Sequence, residues 1–242
     1  MKNDIKEEFI STLSHEIRTP LTSIKGFCST MLSSWEVLDD NKKKEFLNII
    51  LSQSNRLIGL VENVLNVAKI DSNSSDLVFV KVNAKELMQN CINIVAINYK
   101  NFEFNFKKPA NTFYCLIDNN KSQQILINIL DNAAKYSKNS NKIDIKIFEK
   151  DDKIVFSIKN YGSYINEEDR KQIFNKFFRA QSYISSTTQG SGLGLYIAKN
   201  LAQKMNGDIL VTSNEEKNET EFLIYLPVFE IEKMTKCIKQ EF

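Results

Sequence analysis

The sequence predicts an α+β protein: an N-terminal helical hairpin that pairs with a second copy into a dimeric four-helix bundle, followed by an α/β sandwich. Two observations carry this reading. Up to about Lys69 the apolar residues recur only at helical spacing, whereas beyond the polar stretch Asp71-Ser72-Asn73-Ser74-Ser75-Asp76 strand-like and helical runs alternate. A chain of 242 residues with 42% hydrophobic content is also long enough for two modest cores. The predicted division is a hairpin over 1–71, a linker at 72–76, an α/β domain over 77–228 and a charged tail at 229–242.

The first helix is predicted from about Ile5 to Ser33. Ile10, Ile17, Ile24 and Met31 recur seven apart with Leu13 and Phe27 on the same seam, the pattern of a helix packed against other helices. Pro20 lies inside it without an amide for the Glu16 carbonyl, so a bend is expected one turn beyond His15. Trp35 to Asn41 reads as the connecting loop, and a second helix continues to about Lys69. That helix carries two seams. Phe46, Ile50, Gln53, Leu57, Leu60, Val64 and Val67 form one; Leu47, Leu51, Ile58, Val61, Leu65 and Ala68 form the other, one residue over. A single hairpin offers each helix one partner, so a second copy is expected to cover the remaining seam, with packing against the rest of the same chain as the alternative.

Beyond the linker, strands are predicted at Leu77 to Val82, Phe102 to Phe106, Phe113 to Ile117, Lys142 to Glu149, Lys153 to Lys159, Asp208 to Ser213 and Glu221 to Leu226. Helices are predicted at Ala84 to Ile97, Lys121 to Ser137, Glu167 to Phe174 and Leu193 to Met205. One mixed sheet under one helical layer is the expected arrangement.

Thirty-two basic residues against thirty acidic ones leave a formal charge of +2, too balanced for a nucleic-acid or anionic-membrane footprint. Cys28, Cys91, Cys115 and Cys237 are scattered, with no Cys-x-x-Cys pair, which gives no zinc spacing and suits a reducing cytoplasm. The longest apolar runs, such as Ile125 to Leu130, are far short of a membrane span, and the start Met1-Lys2-Asn3-Asp4 is polar. No membrane contact by this chain is expected, and a sensor would lie outside it.

Four stretches carry chemistry. The only histidine, His15, falls off the apolar seam on the wet side of the first helix, where an imidazole is free to react. Asn128, Asn132 and Lys135 share a helical face at spacings of four and three; amide oxygens beside an ammonium suit a hydrated magnesium triphosphate. Gly190-Ser191-Gly192-Leu193-Gly194-Leu195 opens a helix, where glycines admit phosphate oxygens to free backbone amides. Lys176 to Gln189, rich in Ser, Thr and Gln, reads as a lid before it. In Asn160-Tyr161-Gly162-Ser163-Tyr164-Ile165, a turn after a strand would set Asn160 at a pocket floor, its amide donating one hydrogen bond and accepting another from an adenine edge.

In this order the runs resemble the catalytic core of the sensor histidine kinases of two-component systems, from Phe9 to Pro227. Phe9 to Leu21 is similar to the family's H box, Asn128 to Tyr136 to its N box, Val155 to Ile165 to G1, Ile173 to Arg179 to the F box and Gly190 to Leu195 to G2. The resemblance implies a dimeric phosphotransfer hairpin and an ATP-binding domain of the Bergerat (GHKL) type, shared with gyrase, the ATPase chaperones and mismatch-repair ATPases. It implies that His15 accepts a phosphoryl group from ATP and passes it to an aspartate of a response regulator receiver domain. Glu16 would hydrogen-bond the other ring nitrogen, and Thr19 would orient water for dephosphorylating the regulator. Asn132 would hold Mg2+. Asn128, Lys135 and Tyr136 would bind phosphates and metal, and Gly192 and Gly194 would shape the lid hinge and phosphate contact. The same resemblance places Asn160, Gly162, Ile165, Arg179, Gly190, Leu193, Leu195 and Thr220 about the nucleotide.

Three departures stand out. Asn160 replaces an aspartate in G1, Tyr164 replaces its second glycine, and Glu219 replaces a glycine beside Thr220. The first turns a charge-assisted hydrogen bond into a neutral one, worth about 1 kcal/mol. Slow autophosphorylation is therefore expected. Two alternatives use the same residues: a phosphatase-dominant member of the family acting through Thr19, and a kinase-weak nucleotide-binding dimeric scaffold.

Overall fold

The computed structural model describes residues 2–72, 77–137, 140–162, 164–179 and 191–229, with side chains from residue 10 onward. The chain divides into two units, Met1–Asn73 and Ser74–Phe242.

The first unit is a hairpin of α1 (Lys2–Ser34) and α2 (Asp40–Asp71). Asp39 caps α2 by accepting from the Lys42 amide at 2.8 Å, which starts the helix earlier than the expected loop to Asn41 allows. α1 runs through Pro20 as one helix, as expected of a proline inside it. Within that turn the Thr19 hydroxyl donates to the His15 carbonyl at 3.1 Å. Between the helices Phe27 and Phe46 pack with ring centroids 5.0 Å apart, and Met31, Leu60, Val67 and Ile70 are buried. The second α2 seam is not covered: Leu47, Leu51, Ile58, Val61 and Leu65 are each at least half exposed.

The second unit contains β1 (Phe79–Asn83), α3 (Ala84–Ala96), β2 (Glu103–Lys107), β3 (Tyr114–Asp118), α4 (Asn119–Lys135), β4 (Lys142–Lys150), β5 (Lys153–Tyr161), α5 (Glu167–Gln172), α6 (Gly194–Lys204), β6 (Asp208–Asn214) and β7 (Glu219–Pro227). Asn83, Asp118 and Asn166 cap α3, α4 and α5 by accepting from amides of the first turn. Five strands form a mixed sheet in the order β2-β4-β5-β7-β6, with β2 and β4 parallel and the other pairs antiparallel.

The expectation of a single sheet needs correction. β1 and β3 form a separate antiparallel pair, because β3 spends its ladder on β1 and touches the end of the large sheet only through the bridge between Cys115 and Val228. Helices α4 and α6 lie on the large sheet, with α3 beside α4. The core between them holds Ile125, Leu126, Ile129, Ile197, Leu201, Ile154, Phe156, Ile158, Phe222 and Ile224, each almost fully buried. Burial pushes the Cys91 and Cys115 thiols up to about 12, so they remain protonated packing groups. Among the described residues no helix is long and apolar enough to cross a membrane.

Candidate functional site

In the hairpin, His15 and Thr19 are exposed on one face of α1, one turn apart, while Glu16 is half-buried. Successive residues on a helix diverge by about 100°, so Glu16 faces α2 rather than the neighbouring imidazole. Its carboxylate accepts from the Arg56 guanidinium on α2 at 3.0 Å. The structure therefore pairs Glu16 with Arg56, where the resemblance implied a bond to His15. The signal for Arg56 in the sequence is slight: it precedes Leu57 of the first α2 seam and is opposite in charge to Glu16.

In the second unit, α4 presents Asn128, Asn132 and Lys135 along one edge, with Tyr136 just past its end as the C-cap. Asn128 Nδ2 donates to the Gly194 carbonyl at 3.3 Å, which ties α4 to the start of α6. The Lys135 ammonium is an ion-pair partner of Asp131 one turn back, and Asp131 also accepts from the Tyr99 hydroxyl at 2.8 Å. Asp131 thus sets where the ammonium rests, a role readable from its spacing of four but not drawn from the sequence.

β5 continues through Tyr161, so Asn160 sits within a strand instead of a turn, opposite Ile143 on one side and Thr220 on the other. Both Asn160 and Thr220 are only 2% exposed. Across β7 and β6 the row continues to Ser213, whose Oγ lies 2.7 Å from the Thr220 hydroxyl and accepts from the Ile165 amide at 3.0 Å. Ser213 holds the segment after Gly162 to the sheet; only the strand order reveals it. Gly162 adopts φ 114, which a side chain would resist, and its amide donates to the Asn218 carbonyl.

Leu193, fully buried, precedes α6 and supplies no side-chain cap to its first amides. Leu195 is half-buried beside them, as is Arg179 at the end of the preceding described segment. Gly192 has φ +68, accepts from the Phe177 amide at 3.0 Å, and leaves only 2.7 Å between an added Cβ and the Phe177 backbone. Gly194 differs: a Cβ there would meet nothing nearer than Asn128 Cγ at 3.8 Å. Gly190 and residues 180–189 of the expected lid lie outside the described residues.

The groups fit a nucleotide and a hard cation. The Asn160 Nδ2 is buried without a hydrogen-bond partner, as a base-reading amide is before its ligand arrives. At Gly194 the fold itself has room for a methyl group, so the missing side chain leaves a cradle at the first amides of α6. Among the described residues no three His, Cys, Asp or Glu side chains cluster, so a cation here would take amide oxygen, phosphate and water.

Comparison with known proteins finds one family model in each of the two units. Residues 5–73 match the family model "His Kinase A (phospho-acceptor) domain", and residues 117–230 match "Histidine kinase-, DNA gyrase B-, and HSP90-like ATPase". The sensor protein KdpD of Clostridium acetobutylicum is 32% identical over 205 residues, covering 85% of this chain and 23% of that protein. The sensor protein SrrB of Staphylococcus aureus is 31% identical over 234 residues, covering 93% of this chain and 38% of that protein. The chain therefore spans well under half the length of these curated relatives.

Among solved structures, histidine kinase ThkA in complex with response regulator protein TrrA is 26% identical with a TM-score of 0.69, over 94% of this chain and 63% of that one. Full-length ShkA in complex with AMPPNP is 25% identical with a TM-score of 0.64, over 91% of this chain and 46% of that one. With a phospho-acceptor hairpin followed by an ATPase domain of the gyrase and HSP90 type, the chain belongs to the sensor histidine kinases, the protein-histidine kinases of two-component systems.

Proposed function

We propose that this chain is the kinase core of a homodimeric sensor, which moves the γ-phosphoryl group of ATP to His15 and then to an aspartate of a response regulator receiver domain. The observation that carries the reading is the exposure of the chain's only imidazole on a helix of the phospho-acceptor hairpin. The similar kinase ThkA, solved in complex with the response regulator protein TrrA, supports that class of partner. The uncovered second seam of α2 supports a second copy as the hairpin's partner. Unbridged Cys28, Cys91 and Cys115 favour the cytoplasm.

When bound, Mg2+ would neutralise phosphate charge during in-line transfer. Asn132 would supply its amide oxygen to the metal, Asn128 and Lys135 would bind phosphate oxygens, and the first amides of α6 would add the positive end of a helix dipole. Tyr136, Gly162, Ile165, Arg179, Gly190, Gly192, Leu193, Leu195 and Thr220 complete the proposed nucleotide surroundings. For Glu16 to orient the His15 ring, its carboxylate would have to turn from α2 or reach the ring with the oxygen that Arg56 does not hold. Thr19, exposed one turn beyond His15, supports a second activity, orientation of water for dephosphorylating the regulator.

The test is incubation with γ-labelled ATP and magnesium. Acid-labile, base-stable label should appear on the wild type and vanish in His15→Ala, which still binds nucleotide. Asn132→Ala should lose labelling with its dimerisation unchanged. Label persisting in His15→Ala would refute the assignment.

A further inference from the structure

Asn160 is a buried amide whose donor no neighbour engages. Its Nδ2 has no hydrogen-bond partner, and its cross-strand neighbours in register, Ile143 and Thr220, carry no charge. Other carboxamides of the same unit are pinned: Asn105 Nδ2 donates to Asp144 at 2.8 Å and Asn128 Nδ2 donates to the Gly194 carbonyl at 3.3 Å. Buried polar groups are nearly always paired, so the unpaired donor at Asn160 points to a ligand that completes it.

The two faces of a carboxamide match two purine edges. Adenine offers an amino group at position 6, which donates, beside N1, which accepts. Guanine offers a carbonyl oxygen at position 6, which accepts, beside N1–H, which donates. With Oδ1 toward the amino group and Nδ2 toward N1, Asn160 reads adenine. After a half-turn about its last side-chain torsion, Nδ2 meets the guanine oxygen and Oδ1 accepts from N1–H. A carboxylate in the same place has only acceptors, so with the base held in that pose it would face the guanine oxygen with repulsion, and guanine could meet it only after shifting to offer N1–H and its 2-amino group.

We infer that Asn160 makes this a purine site rather than an adenine site, so that GTP serves beside ATP as the phosphoryl donor. The inference rests on the nucleotide-site reading above and goes beyond it in naming the substrate class.

The experiment uses the full chain with magnesium. Equilibrium binding of ADP and of GDP is measured, and labelling of His15 by γ-labelled ATP and GTP is run in parallel. Affinities within about thirtyfold of each other, with label from both nucleotides, are expected. Asn160→Asp should move the ratio toward ADP by about tenfold or more. GDP weaker than ADP by more than about thirtyfold overturns the inference and leaves the ATP site standing. So does a folded Asn160→Asp whose ratio equals that of the wild type. Binding of neither nucleotide overturns the nucleotide-site reading and this inference with it. Should the variant fail to fold, the wild-type ratio alone decides.

Discussion

The Glu16 carboxylate lies 3.0 Å from the Arg56 guanidinium on the opposite helix, although its neighbour in the chain is His15. The pair is partly shielded, with 17% and 25% of the two side chains exposed, so it is worth under ~1 kcal/mol after screening. Its consequence is positional: the carboxylate beside the reactive histidine is engaged across the hairpin.

Arg56→Ala should therefore lower hairpin stability by less than ~1 kcal/mol and leave His15 labelling at the wild-type rate or faster. Glu16→Gln should slow labelling by about tenfold or more. Thermal unfolding and initial labelling rates check both, and an equal loss of rate in the two variants would make the pair purely architectural.

The uncovered α2 seam predicts that Leu51→Glu combined with Ile58→Glu gives a monomer. Each side chain gives up about 1.5–3 kcal/mol of burial at the proposed dimer interface, while the seam facing α1 is untouched. Sedimentation equilibrium together with far-UV circular dichroism should report a helical monomer. A dimer of unchanged affinity would show that the seam faces something else.

Two glycines separate folding from binding. Gly192→Ala places a Cβ at 2.7 Å from the Phe177 backbone in a left-handed conformation, so a loss of about 1–3 kcal/mol in stability is expected. Gly194→Ala meets only an ordinary contact with Asn128 and should unfold at the wild-type temperature while nucleotide affinity falls about tenfold or more. Calorimetric unfolding and ADP titration distinguish the two.

Tyr161 and Asp144 set a pH dependence. Burial raises the Asp144 carboxyl, but the Tyr161 and Asn105 hydrogen bonds and the Lys142 and Lys107 charges outweigh it and hold the group below its ordinary value. The bond to Asp144, first, and then burial push the Tyr161 phenol up to about 12. Stability from the lowered carboxyl is present above the ordinary carboxylate range and lost as pH falls through its folded value. Stability from the raised phenol is full below about 10 and lost as pH rises through about 12. Tyr161→Phe should cost about 1 kcal/mol near neutrality and flatten both limbs of melting temperature against pH.

Much of the organisation was legible because it is local. Heptad spacing from Ile10 to Met31, period-two alternation in β4 and short apolar runs in β5, β6 and β7 follow from single-residue geometry, so the order of elements could be read directly. The exposure of His15 follows from its offset to Leu13. The glycine run before α6 and the asparagine face of α4 are likewise contiguous patterns.

Tertiary structure decided what depends on partners distant in sequence. Whether β1 and β3 join the large sheet depends on which strand edges meet in the fold, and no alternation pattern encodes it. Glu16 chose Arg56, 40 positions away, because helix rotation turns it from His15 and hairpin packing brings the guanidinium there. Gly192 and Gly194 are alike in sequence, yet the Phe177 backbone crowds only the first. The sequence by itself determined which residues could do chemistry, since that is a property of side chains and their spacing. The tertiary structure decided which are held, such as Lys135 by Asp131, and which are left buried without a partner, as the Asn160 donor is, because hydrogen bonding is settled only when strands and helices meet.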